Sequence, residues 1–403
     1  MLPCQARRRR WLFAMAAASP LLAGCLSSSS TAPRDETAMN AYARWSQGPP
    51  SGPEYFPIAV WLQSPGNAAR YKAAGINLYV GLWQGPTEEQ LRELAAAGMQ
   101  VVCAQNEVGL AHLDDPTIVA WMHGDEPDNA QWNAATSSYD PPILPAAVIA
   151  DYQAIRSRDP SRPVLLNLGP GVAWDGCVGR GTRTNHPEDY LEYVRGADVV
   201  SFDIYPVASD RAETSGKLWL VPFGVSRLRE WTAPEQVVWN CIECTRIYSE
   251  ASKATPEQVR AEVWMSLIHG SQGIIYFVHE WKPRFNEHAL LDDPEMLAAV
   301  TALNQQIHAL APVLNSPALQ QAVTVTSSQP EIPVAVRVTE CRGSLWVFAV
   351  SMRDGATEAT FTLAAPGKRR TAQVIDEGRQ LPLAAGSFTD SFAPYQVHLY
   401  QID

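Results

Sequence analysis

Two adjacent acidic residues are the first sign of chemistry in this sequence. Asp125 and Glu126 follow the apolar run 118–122 and precede Pro127. Burying a carboxylate is costly unless it is hydrogen-bonded or has a function. Because the proline interrupts a strand ladder, the acidic pair is predicted at a strand end, where a pocket can form. Acid–base chemistry there would require a further carboxylate from another part of the chain.

The second candidate is Glu243, near the end of the apolar run 236–244. A carboxylate within an apolar strand needs a partner or a function. If Glu126 and Glu243 meet, one carboxyl group can protonate a leaving oxygen while the other attacks or activates water. The alternative is structural, with Glu126 as a capping or ion-paired acid.

The elements that would position these acids form a regular series. Between residues 55 and 316, strand-like apolar runs alternate with helices or helix-sized segments, which predicts a (β/α)₈ TIM barrel, an α/β fold. A doubly wound open sheet is the alternative, but eight near-regular repeats favour closure. The predicted strands span residues 57–63, 77–83, 100–106, 118–124, 163–168, 198–205, 236–244 and 273–281.

The helical period ends near residue 317, and short β-type runs separated by Gly, Pro, Asp and Arg follow. This pattern predicts a small antiparallel β-sandwich with no chemistry of its own. The predicted domains are a signal peptide (1–24), a flexible Ser/Pro tether (25–53), the barrel (54–316) and the sandwich (317–403).

The amino terminus has the features of an export signal. A run of arginines precedes a short apolar segment that ends in Leu22-Ala23-Gly24-Cys25. This ending resembles the bacterial lipobox, which implies that Cys25 carries lipid and anchors the protein in the cell envelope. Outer-membrane sorting is favoured because Leu26 is not acidic. The alternative is an ordinary secretory signal with an incidental cysteine.

The charge balance restricts the partners. The chain has 31 basic and 42 acidic residues, a formal net charge of −11. Such a surface repels nucleic acid, so a neutral carbohydrate is the favoured substrate. Cys241 and Cys244 have CxxC spacing but lack a second pair or nearby histidines. Neither a metal nor a cofactor is therefore predicted.

In barrels of this kind, active sites lie at the carboxyl ends of the strands. Aromatic rings at these ends could stack on sugar rings, while amides and acids could bind sugar hydroxyls. The predicted substrate-binding residues are Asp125, Trp61, Trp83, Asn167, Asp203, Tyr205 and Trp281.

A Glu-Pro pair ending the fourth strand, with a Glu ending the seventh, resembles the clan A superfamily of (β/α)₈ glycoside hydrolases. The resemblance implies retaining hydrolysis of a β-linked oligo- or polysaccharide, with Glu126 as acid/base and Glu243 as nucleophile. It also implies that Tyr205 binds the nucleophile and that Trp281 forms the floor of a sugar subsite. A non-catalytic carbohydrate-binding lipoprotein on the same scaffold is the alternative.

Asp125 departs from this resemblance, because Asn usually precedes the fourth-strand Glu in that clan. Strict strand alternation would also send Asp125 and Glu126 to opposite faces. Both carboxyl groups can therefore reach one site only if the strand bulges at its end.

Overall fold

The computed structural model describes residues 41–403, which begin with a segment packed on a barrel of parallel strands. The barrel strands are largely apolar and almost entirely buried, because one face meets the barrel interior and the other the helices. A small hairpin, β5–β6, interrupts the series. The strands are β1 (Ile58–Trp61), β2 (Leu78–Val80), β3 (Gln100–Ala104), β4 (Ile118–Met122), β5 (Gln131–Asn133), β6 (Ser138–Asp140), β7 (Val164–Leu168), β8 (Val199–Phe202), β9 (Val237–Val238), β10 (Asn240–Glu243) and β11 (Ile274–Phe277).

The sheet closes through its seventh position, which the chain fills with β9 and β10 on either side of Trp239. Strand β9 pairs with β8, while β10 pairs with β11, which in turn pairs with β1. The Trp239 amide donates to the Val200 carbonyl and continues the ladder between the two segments. The predicted TIM barrel is confirmed, and the open-sheet alternative is excluded.

Helices cover the outside of the barrel. Two of them, α2 and α7, begin with capping boxes at Thr87 and Thr255. In the described part of the chain, no helix has the length and apolarity to cross a bilayer. The helices are α1 (Ala68–Ala73), α2 (Glu88–Ala97), α3 (Glu107–Ala111), α4 (Pro145–Arg158), α5 (Tyr190–Tyr193), α6 (Leu220–Trp231), α7 (Pro256–Ile268) and α8 (Pro294–Leu314).

The carboxyl-terminal region is the predicted antiparallel sandwich. Its sheets have the orders β12-β15-β18 and β13-β14-β19-β16-β17. The apolar alternation along β15 and β18 turns one face of the smaller sheet inward. The strands are β12 (Val323–Ser327), β13 (Val334–Cys341), β14 (Ser344–Ser351), β15 (Thr357–Leu363), β16 (Thr371–Val374), β17 (Arg379–Pro382), β18 (Ser387–Phe392) and β19 (Val397–Ile402).

The tether predicted over residues 25–53 does not agree with the structure from residue 41 onward. Tyr42 and Trp45 are buried against the interior cluster of the barrel. The Trp239 indole N–H donates to the Tyr42 hydroxyl (2.8 Å), which donates to the Gln272 carbonyl (3.1 Å). Aromatic burial therefore makes this segment part of the folded domain. The predicted signal peptide and Cys25 lie outside the described residues.

Candidate active site

The acidic segment predicted as a strand end lies in the loop after β4, which ends at Met122. Glu126 has a φ of 42°, in the left-handed region, and its amide donates to the Asn167 carbonyl (3.2 Å). Few residues other than glycine adopt this conformation. Because the turn lies beyond the strand, Asp125 and Glu126 direct their carboxyl groups to neighbouring strands without a bulge at the strand end. The register of β4 against β3 instead shifts near its start, between Ile118 and Ala120.

Asp125 is tied to the barrel through Asn167. The Asn167 amide donates to Asp125 Oδ1 (2.9 Å), and the Ser201 hydroxyl donates to Asn167 Oδ1 (2.7 Å). Asp125 is exposed at the barrel mouth, yet the protein crowded around its carboxyl desolvates it. This desolvation, with the nearby Glu126 charge, raises the pKa of Asp125 to about 7, although the Asn167 bond opposes the shift.

Asp203, just beyond β8, is the carboxyl partner of Glu126. Its carboxyl group lies close to the Glu126 carboxyl group and the Tyr205 hydroxyl, both of which influence its pKa. Burial, followed by the Glu126 charge, raises the pKa of Asp203 well above its ordinary value. Within residues 41–403, Asp203 Oδ1 finds no conventional donor. The raised pKa favours the protonated form of Asp203; we call Glu126 and Asp203 the carboxyl pair.

Glu126 is oriented by a residue that the sequence reading missed. The Asn129 amide donates to Glu126 Oε2 (2.9 Å), and the Gln131 amide donates to the Glu126 carbonyl (3.1 Å). An amide donor suits an ionised carboxylate acceptor. In the sequence, the one indication of this contact is that Asn129, an amide side chain, lies three residues after Glu126.

The carboxyl pair lies beside a cleft of about 350 Å³ at the carboxyl-terminal face of the barrel. Glu126 and Tyr205 line it, together with Trp174, Arg211 and Tyr248. The Arg211 guanidinium carbon lies 5.9 Å from the Trp174 ring centroid. The cleft therefore combines aromatic faces, hydroxyl groups and the Glu126 carboxyl group, a lining that suits a neutral polyhydroxylated ligand.

The structure does not bring Glu243 to the cleft. Its side chain is fully buried, and its two carboxylate oxygens accept the amides of Val207 (2.7 Å) and Ala208 (2.6 Å). Burial raises the pKa of Glu243 to about 7, although these two bonds and the contact with Glu262 act to lower it. The prediction that Glu243 faces Glu126 is therefore corrected. The loop after β8 covers the end of β10, and Asp203 takes the expected position beside Glu126.

The predicted aromatic residues divide into three groups. Tyr205 lines the cleft and lies close to Asp203. Trp61 is buried (7% exposed) in the interior cluster that contains Tyr205. Trp83 and Trp281 are 71% and 49% exposed, and neither lines the cleft. The structure thus brings together Asp125, Glu126, Asn167, Asp203 and Tyr205 from the predicted set.

The chain matches no protein-family profile and no curated protein. Several solved structures share its fold. A putative α-galactosidase/melibiase from Bacteroides fragilis has a TM-score of 0.55 at 11% identity, over 87% of this chain and 80% of that chain. AmyP in complex with maltose gives 0.53 at 9% identity, over 87% and 96%. An α-amylase from Geobacillus thermoleovorans, complexed with acarbose, gives 0.51 at 10%, over 87% and 98%.

These similarities show the fold. The matched share of this chain exceeds what the barrel alone supplies, so the likeness extends into the sandwich. The structural neighbours are named as glycoside hydrolases, at identities too low to transfer catalytic residues.

Proposed function

We propose that this protein is a glycoside hydrolase whose reacting groups are Glu126 and Asp203. The observation that carries the proposal is the carboxyl pair, in which the pKa of Asp203 is raised, beside an aromatic-lined cleft at the carboxyl-terminal face of the barrel. The carbohydrate complexes of structural neighbours support a sugar as the ligand. Of the two sequence-based candidates, this geometry favours the enzyme over the binding lipoprotein. Sugar binding alone gains nothing from a protonated acid beside a second carboxyl group.

In the proposed reaction, protonated Asp203 donates its proton to the glycosidic oxygen as the bond to the anomeric carbon breaks. The Glu126 carboxylate attacks that carbon and forms a glycosyl ester. Asp203, now ionised, takes a proton from water, which displaces Glu126 and releases the sugar. In this assignment Asp203 is the acid/base and Glu126 is the nucleophile, whereas the clan A resemblance implied that Glu126 is the acid/base.

In the proposed reaction, the substrate must enter between the two carboxyl groups. Retention requires a separation of about 5–5.5 Å in the complex, whereas about 6.5–9.5 Å would favour inversion by water activated at Glu126. Asp125 would accept a sugar hydroxyl, and Asn167 would hold Asp125 in position.

The linkage is a separate part of the proposal. The clan A resemblance favours a β-linked oligo- or polysaccharide, whereas the neighbours above are named as an α-galactosidase and an α-amylase. We therefore propose a neutral glycoside as the substrate and test both anomers with paired aryl α- and β-glycosides.

The decisive experiment compares E126Q, D203N and E243Q with D210N, which alters an exposed acid at the same cleft. E126Q and D203N should each lose about 10³-fold in kcat while still binding the substrate, because each removes one proton-transfer or bonding partner. D210N should stay near wild type. Turnover is measured with the glycoside panel, and the product anomer by NMR.

Wild-type turnover in D203N would exclude Asp203 as the acid. Ligand binding without turnover in every form, wild type included, would instead support the carbohydrate-binding lipoprotein.

From the sequence alone, we also propose that Cys25 is lipidated and holds the protein in the bacterial cell envelope. In a bacterial host, C25S should move the protein from the membrane fraction to the soluble fraction. Membrane retention by C25S would contradict this proposal.

A further inference from the structure

A second pair of acids lies outside the proposed reaction. Glu243 ends β10 and Glu262 lies on α7; both are fully buried, and each carboxyl group lies close enough to the other to shift its pKa. Neither carboxylate oxygen of Glu262 has a conventional donor within the described chain. Burying two acids without a basic partner is costly, so we expect this pair to have a role in the structure or the function.

The contacts of Glu243 lead to the segment after β8, residues 206–216, which we call the cleft loop. Glu243 accepts two consecutive amides from it, those of Val207 and Ala208. These amides lie two and three residues after Tyr205, and four and five residues after Asp203. Glu243 therefore fixes the segment just after β8, which begins with Asp203 of the carboxyl pair.

The cleft loop is also closed on itself. The Gly216 amide donates to the Pro206 carbonyl (2.9 Å), and the Ser209 and Thr214 hydroxyls are 2.6 Å apart. Ser209, Arg211 and Thr214 line the cleft. A displacement at Val207 would therefore be passed to these side chains as well as to Asp203.

We propose that Glu243 is a positioning residue that holds the cleft loop through two backbone amides, with Glu262 supplying the proton that joins the two buried acids. This inference rests on the proposed function, since it assigns a role in organising that same cleft. A carboxylate suits the position because each of its oxygens can accept one of two adjacent N–H groups.

The test uses hydrogen–deuterium exchange of peptides covering residues 205–217, together with kcat and KM. E243Q turns an N–H donor toward a backbone N–H, so exchange in this peptide should rise and kcat/KM should fall about 10²-fold, the effect of a small misplacement. E262Q keeps a donor toward Glu243 and should stay near wild type in both measurements. The matched control is E257Q, on the exposed side of the same helix.

E262A provides a second test should E243Q fail to fold. It removes the proton donor but leaves Glu243, so exchange in peptide 205–217 should rise while E262Q remains protected. Equal protection in E262A, E262Q and wild type would overturn the proposal.

Two further outcomes would also overturn it. If E243A loses turnover, regains it with azide and leaves exchange of the cleft loop unchanged, Glu243 is the nucleophile. If E243Q raises exchange uniformly along the chain with unchanged kcat/KM, its role is only structural. Exchange does not depend on turnover, so an inactive wild-type protein would refute the proposed reaction while the exchange data still decide the anchoring role of Glu243.

Discussion

At the residue scale, the backbone of Glu126 shows a conflict between stability and geometry. A left-handed conformation costs a non-glycine residue about 1–2 kcal/mol. Here it turns the carboxyl group toward Asp203, where two acids meet at the edge of the cleft. Strain of this kind persists where the surrounding structure requires it, and Asn129, Gln131 and Asn167 all hold this turn.

E126N should therefore be more stable than E126Q, although both abolish the charge. Asparagine tolerates the left-handed region better than glutamine, so we expect a difference of about 1 kcal/mol in the free energy of unfolding. Urea denaturation of the two variants measures it. A more stable E126Q would show that the turn stores no strain at this residue, and both variants should be inactive.

The shifted carboxyl groups also predict how stability depends on pH. The pKa values of Asp125 and Asp203 are raised above their ordinary value, so the folded state favours their protonated forms. Their contribution is complete below the ordinary pKa and is lost as the pH rises through the folded-state pKa, which is about 7 for Asp125. The free energy of unfolding should therefore fall as the pH increases through that value.

D203N should flatten this dependence, because the amide cannot ionise and no longer repels Glu126. Denaturant unfolding between about pH 5 and about pH 8 tests this expectation. D210N serves as the control, since its side chain is exposed. An unchanged slope in D203N would mean that the carboxyl pair does not carry the pH dependence.

At the scale of elements, the barrel strands could be predicted because each is an apolar run between turn residues. Helix α4 (Pro145–Arg158) is one of the helix-sized segments expected between these runs. Helix α6 was not predicted, because Pro222 and Gly224 interrupt its pattern. The β5–β6 hairpin was also missed, since its turn, Ala-Ala-Thr-Ser, lacks the usual turn residues.

The site was predictable to the extent that it lies at strand ends. Asn167 and Asp203 end or follow neighbouring strands, so their meeting with Asp125 follows from barrel geometry. The burial of Glu243 did not follow, because it depends on the path of the cleft loop, which has no apolar period. Long loops over the carboxyl-terminal face decide which strand-end residues reach solvent.

The packed segment before the first strand gives an element-scale prediction. A chain that begins at residue 54, where the barrel was predicted to start, lacks Tyr42 and Trp45 and leaves the Trp239 indole without its acceptor. Relative to a chain beginning at residue 41, it should lose about 3–5 kcal/mol of unfolding free energy. Thermal denaturation of the two chains measures the difference; equal stability would restore the tether interpretation for residues 41–53.

At the scale of the whole molecule, the sandwich contributes to the barrel. Phe348 of β14 and Leu399 of β19 belong to the same buried cluster as Trp264 of α7, whose ring centroid lies 5.3 Å from that of Phe348. The Tyr395 hydroxyl donates to the Gly216 carbonyl at the end of the cleft loop (3.1 Å). The sandwich, which has no chemistry of its own, therefore supports the loop that Glu243 holds from the other side.

This shared core predicts one cooperative unfolding transition for both regions. F348A removes a fully buried ring from between α7 and the sandwich and should cost about 3–5 kcal/mol. Its calorimetric trace should remain a single peak at lower temperature, since neither region keeps a separate core on that side. Y395F should leave the peak nearly unchanged but raise hydrogen exchange in residues 205–217. Two resolved peaks in F348A would show that barrel and sandwich fold independently. The sandwich would then not stabilise the cleft loop.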